Sequence, residues 1–203
     1  MIMRNVKEKK ERALGTKLFL KAERCSSHKC VMIRKPYRPG QHGQKRRRRI
    51  SEFGRQLQEK QKIQIVYGLT NKQMSNLFRK YSGAPQKLVA SLEKRLDRSA
   101  FLSGLAPSTR VARQLVTHGH IMVNEKKMTI PSYSIKKNDV IAIKPTSRSL
   151  KIFEDVETKL KKYEAPKWLK VDNKKLTGTC VGEPTAKDIL PFDINLVGEY
   201  YSR

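Results

Sequence analysis

The sequence predicts an α+β protein, and three observations carry that prediction. Apolar residues recur at helical spacing over 51–94 and again over 108–118. Short alternating or β-branched runs separated by turns follow over 120–143. The 203 residues are 37% hydrophobic and 7% aromatic, low values for one large core, and the length allows one domain or two small ones.

The first fifty residues hold no sustained period. Leu14, Leu18, Phe19 and Leu20 make a short apolar patch, and Pro36, Pro39, Gly40 and Gly43 punctuate a loop that blocks a helix. It ends in Lys45-Arg46-Arg47-Arg48-Arg49, five adjacent cations that repel one another in water and can order against phosphate. Helical character begins at Ser51, with Phe53, Leu57 and Ile65 on one face and Gly68 as the stop. Thr70 and Gln73 have capping-box spacing, with Met74, Leu77, Phe78 and Tyr81 behind them. Pro85 suits the first turn of a third helix, whose buried stripe is Leu88, Val89, Leu92 and Leu96.

Ser108 is placed to cap a further helix, with Val111, Ala112, Leu115 and Val116 inward and Arg110, Arg113 and Thr117 outward; Gly119 ends it. The runs at 120–124, 127–130 and 140–143 then predict a small antiparallel sheet, the last after an Asn138-Asp139 turn. Beyond Pro145, Leu150, Phe153, Val156 and Leu160 return to helical spacing, Pro166 interrupts, and Trp168, Leu169 and Val171 suggest a strand or anchoring cluster. The apolar-aromatic ending Leu196-Val197-Gly198-Glu199-Tyr200-Tyr201 is expected to pack on a core.

The charge is more informative than the fold. The chain carries a formal net charge of +27. Residues 1–50 hold 17 basic and 3 acidic groups, about half the surplus, whereas residues 145–203 hold 11 and 9. Such a surplus repels itself until a polyanion neutralises it, so nucleic acid is the expected partner. A membrane surface is disfavoured, since no segment sets Lys/Arg on one face against Trp/Phe/Leu on the other. No run approaches a membrane span, and the start is unlike a secretory signal, with Glu8 and Glu11 against a transit peptide. Three cysteines do not make a disulfide framework, so a reducing compartment is expected.

The sequence contains no GxxxxGK[ST], HExxH or GxSxG motif, and no enzyme is expected. His118 and His120 flank Gly119 among basic residues, a setting that suits phosphate contact or base stacking better than proton transfer. Asp97 lies between Arg95 and Arg98 and is expected to orient cations. Cys25 and Cys30, with His28 and His42 nearby, lack a usual zinc spacing and read as reduced thiols, so neither metal nor cofactor is expected.

Several strings nevertheless coincide with one family. LFLKAERCSSHKC, PYRPGQHGQKRRRRISEFGRQLQEKQKIQIVYGL, RLDRSAFLSGLAPSTRVARQLVTHGHIMVN, IPSYSIKKNDVIAI, PKWLKVD, LPFDI and EYYSR stand in its order. From about Leu14 to Arg203 the chain resembles small-subunit ribosomal protein four of the bacterial and organellar type. The resemblance implies a mainly helical domain, formed by the N-terminal region with the C-terminal segment, and an inserted helix–helix–antiparallel-sheet RNA-binding module. The corresponding division is 1–50 as a basic irregular extension, 51–94 with 145–203 as the discontinuous helical domain, and 95–144 as the module.

Carried over, Arg95, Arg110, Arg113, His118, His120 and Asn124 would form the module's RNA face. Lys45, Arg46, Arg47, Arg48 and Arg49 would be a second contact, with ribosomal RNA and with messenger RNA where it enters the particle. The resemblance further implies direct binding of small-subunit rRNA at a multi-helix junction, early assembly and translational accuracy. It implies neighbours that include small-subunit protein five, a monomeric state within the ribosome, and a bacterial cytoplasmic, chloroplast or mitochondrial ribosome. An RNA-modifying enzyme and a binder of stalled ribosomes are the alternatives; the former needs a catalytic Asp in a second domain, and the latter would not carry PGQHG and EYYSR. The chain departs from the family's pattern in four places. Arg98 is new within LDRSAFLSGLA, the linker around Ser82-Gly83-Ala84 is short, and an upstream cysteine pair is missing. Glu125 stands where a glycine usually follows Val-Asn, so the hairpin turn is expected to differ from an Asn-Gly turn.

Overall fold

The computed structural model describes residues 7–21, 23–45, 49–81, 84–154, 156, 160, 163–173, 175–184 and 192–202. They fall into two units, one made of 1–76 with 192–203 and the other of 77–191.

In the first unit, local chemistry fixes the longest helix, α4 (Glu52–Tyr67). Ser51 Oγ accepts from Gly54 N at 3.2 Å, and Gly68 closes the other end at φ +61°. Thr70 and Gln73 form the reciprocal capping box, Gln73 N donating to Thr70 Oγ1 and Thr70 N to Gln73 Oε1, at the start of α5 (Asn71–Lys80). The C-terminal helix α9 (Ile194–Tyr201) packs on α4. Phe53 stacks on Tyr200, Lys60 Nζ sits 4.4 Å from the same ring, Gln56 donates to Glu199, and Val197 is fully buried. The face of α4 is shifted from the expected one: Ile65 is buried as expected, together with Ile63, Val66 and Tyr67, whereas Phe53 is 47% exposed and finds cover on Tyr200.

Three short helices precede α4: α1 (Lys7–Leu14), α2 (Glu23–Ser26) and α3 (Val31–Arg34). Buried Glu11 accepts from Leu18 N and Leu20 N, while Arg12 donates to the carbonyls of Lys35, Tyr37 and Arg38 and lies over the Tyr37 ring. These side-chain bonds to backbone take the place of periodic packing, and Leu14, Leu18 and Leu20 are buried as a result. Residues 7–45 are therefore grouped with α4 rather than set apart as an extension.

The second unit holds α6 (Pro85–Glu93), α7 (Leu96–Leu102) and α8 (Thr109–Thr117), followed by β1 (Ile121–Val123), β2 (Lys126–Lys127), β3 (Val140–Ile143), β4 (Leu169–Asp172) and β5 (Thr177–Cys180). Pro85 opens α6, Ser108 Oγ caps α8 by accepting from Val111 N, and Gly119 follows α8 at φ +75°. The strands make one antiparallel sheet in the order β2-β1-β3-β5-β4. Leu96, Ala100, Leu105, Ala112, Val116, Ile121, Ile141 and Ile143 fill its core.

Two expectations are corrected here. The expected division joins all of 145–203 to the helices of 51–94, yet β5 pairs with β3, and Phe153, Val156, Leu160, Trp168 and Cys180 share the module's core. Of that stretch, the segment from 192 joins α4. The physical cause is the close seat of β5: a Cβ at Gly178 would come within 2.3 Å of Ser103 Oγ, so the strand carries glycine instead of an apolar signal. Leu150 is 41% exposed and outside the buried set, and Ser82, Gly83 and most of the expected helix beyond Glu154 lie outside the described residues.

The second correction concerns the hairpin. Val123 pairs with Lys126, leaving a two-residue loop in which Asn124 and Glu125 both have positive φ, 48° and 65°. The turn keeps the left-handed geometry of an Asn-Gly turn despite the glutamate. Its cause is a clamp: Asn124 Nδ2 donates to Asp139 Oδ1 at 2.8 Å, and Asn124 Oδ1 accepts from Val140 N at 2.9 Å. Glu125 then bears a left-handed backbone costing about 1–2 kcal/mol. Glu125→Gly should raise stability by several tenths of a kcal/mol to about 1 kcal/mol, because that relief exceeds glycine's roughly 0.5–1 kcal/mol entropic cost. Urea unfolding will show this as a higher midpoint at unchanged slope; a lower midpoint would contradict it.

Candidate nucleic-acid interface

The basic face of the second unit is organised by a single carboxylate. The backbone entering α7 is tied to the 131–135 segment by Leu96 N to Tyr133 O (2.8 Å), Asp97 N to Pro131 O (3.2 Å) and Ile135 N to Lys94 O (2.9 Å). This fixes Asp97, whose two oxygens accept from Arg95 Nε and Nη2 at 3.0 and 2.7 Å. Both side chains are nearly buried. Arg113, three residues along α8 from Arg110, reaches the same carboxylate at 3.6 Å with its side chain 41% exposed. One negative charge is thus shared by two guanidiniums, and the surplus stays on the outer one.

Arg98 does not join this group. It pairs instead with Glu93 at 2.9 Å, and both side chains are buried, so the expectation that Asp97 orients Arg98 is corrected. The separation of five residues across the break between α6 and α7 hid this partner from a reading of neighbours. Arg110 is half-buried on α8, where desolvation lowers its pKa from the ordinary arginine value; it nevertheless stays cationic in the physiological range.

At the end of α8 the two histidines come together, with ring centroids 6.0 Å apart. His118 is exposed, and His120 shares a 3.0 Å hydrogen bond between Nδ1 and Ser147 Oγ. Between them, Gly119 leaves room for Lys127: a Cβ there would meet Lys127 Cε at 2.2 Å. Lys127 is therefore part of the same basic surface, a residue the sequence reading passed over although glycine marked the place. Asn124 is different, since its amide oxygen and nitrogen are both engaged inside the fold by Val140 and Asp139.

In the first unit, Lys45 and Arg49 are exposed and line a groove of about 570 Å³ with Arg38 and His42. Arg46, Arg47 and Arg48 lie outside the described residues. Cys25, Cys30 and Cys180 are buried free thiols, and burial raises the pKa of Cys25 and Cys180. Among the described residues no group of three or more His, Cys, Asp and Glu could hold a metal ion, and no helix is long and apolar enough to cross a membrane.

The shared carboxylate makes a stability prediction. Asp97→Ala would leave Arg95 buried without its counter-ion, at a cost of about 3–5 kcal/mol. Urea denaturation should show a loss of this size; a change below about 1 kcal/mol would mean that Arg95 does not depend on Asp97.

Comparison with known proteins places these residues in context. Residues 3–97 match the ribosomal protein S4/S9 N-terminal domain, and residues 94–141 match the S4 domain. The chain is 42% identical over 194 residues to small ribosomal subunit protein uS4 of Halothermothrix orenii, covering 93% of each chain. The corresponding proteins of Clostridioides difficile and Thermus thermophilus are 43% and 42% identical over the same length, again at 93% of each chain. Similarity of this degree over nearly the whole of both partners establishes that the chain belongs to the uS4 family of small ribosomal subunit proteins.

Proposed function

We propose that the chain is a structural constituent of the small ribosomal subunit that binds small-subunit rRNA directly, at a junction of several RNA helices. The observation that carries this reading is the sharing of Asp97 by Arg95 and Arg113 within the S4-domain match, which leaves a net cationic face. Arg110, Arg113, His118 and His120 would meet phosphates or stacked bases, with Arg95 and Asn124 contributing through the fold that holds them. Lys45 to Arg49 would form the second contact, touching rRNA and messenger RNA where it enters the particle. Early subunit assembly, translational accuracy, contact with protein five and a monomeric state within the ribosome, bacterial or organellar, complete the proposal.

Relatives named as ribosomal proteins, rather than any missing feature of the fold, set the RNA-modifying enzyme aside. A charge-assisted hydrogen bond to phosphate contributes about 1–3 kcal/mol. Arg113→Ala should therefore weaken binding to a small-subunit rRNA junction fragment roughly 5- to 150-fold in a filter-binding assay, with the fold intact by circular dichroism. Unchanged affinity would refute the assignment of Arg113.

A further inference from the structure

The groove at the start of α4 has a composition that simple backbone contact does not explain. Arg38, Lys45 and Arg49 supply its cations, His42 lines it beside them, and none of its described lining residues is acidic. Arg38 Nε is shielded from solvent and has no hydrogen-bond partner among the described residues. The turn carrying Arg38 and His42 is drawn tight, since a Cβ at Gly43 would fall 1.9 Å from Arg38 O. Opposite chemistry lines the rest: Ile50 and Leu57 are apolar, while Gln58 and Gln61 each offer an amide donor and acceptor. At about 570 Å³ the groove falls inside the roughly 300–1,000 Å³ range of small-ligand sites, far more than one phosphate occupies.

We infer that this groove holds one unpaired nucleotide of an RNA strand, its phosphate on Arg38, Lys45 and Arg49 and its base between the apolar wall and the glutamine amides. The inference rests on the rRNA-binding reading above and adds to it a base-holding site. A phosphate alone would leave Ile50, Leu57 and both glutamines without a role. A duplex would keep its bases paired and out of reach, whereas an unpaired nucleotide can present its base edge and its π-face.

The test uses the full chain and two RNA-length strands of equal charge, about ten residues each: an unstructured RNA and an abasic ribose-phosphate strand, with affinities read by fluorescence anisotropy. The wild type should bind the abasic strand about tenfold more weakly, in line with the contribution of a held base. Gln61→Ala, at an exposed position, should shrink that penalty to less than about twofold, whereas Arg38→Gln, which removes a phosphate contact common to both strands, should weaken both alike, with thermal melts matching the wild type. If Arg38→Gln does not fold, Gln61→Ala decides alone. Equal wild-type affinity for both strands, or a penalty that persists in Gln61→Ala, would overturn the inference. An rRNA junction fragment titrated in parallel separates the two levels: tight binding with no abasic penalty overturns the groove assignment alone, and absent binding overturns the reading beneath it as well.

Discussion

Excess positive charge is the constraint under which the rest of this structure is arranged. With 45 basic and 18 acidic side chains, cations cannot all be paired internally, so the placement of the few acids decides which cations stay available. Among the described residues, the buried acids Glu11, Glu93, Asp97 and Asp139 each hold a structural task. Glu11 closes the 15–20 loop, Glu93 pairs with Arg98, Asp97 gathers Arg95 and Arg113, and Asp139 clamps the Asn124 turn. A buried acid fixes the geometry of a basic surface without covering it, and that arrangement suits recognition of a polyanion.

The two units reach this end by different routes. In the module, a helix pair on a five-stranded sheet presents α8 and the residues just beyond it, so its basic surface stands on rigid elements. In the first unit, irregular chain is held by side-chain bonds to backbone carbonyls and amides, chiefly those of Arg12 and Glu11. The long α4 supplies the only extended scaffold among that unit's described residues, and the C-terminal helix stabilises it through Phe53, Lys60 and Tyr200.

What could be read in the sequence was what local chemistry determines. Ser51, Gly68, the Thr70–Gln73 box, Pro85, Ser108 and Gly119 all mark helix ends at the expected places, because a cap needs only its own few neighbours. Contacts made over long stretches of chain were not legible. Gly178 erased the strand signal of β5, Glu93 took Arg98 away from Asp97, and Asp139 imposed a left-handed turn on Glu125. The candidate site divides the same way. Arg110 and Arg113 follow from the helix pattern, whereas the internal engagement of Asn124 and the seat of Lys127 across Gly119 depend on tertiary packing.

The central claim is that these cations are neutralised by a folded RNA, and counterion release measures it most directly. Each phosphate neutralised contributes about −0.7 to −0.9 to the slope of log affinity against log salt. For the intact chain on its rRNA junction, about six contacts predict a slope of roughly −4 to −5. A slope near zero, with binding preserved across the same salt range, would show that the charge is not what holds the RNA.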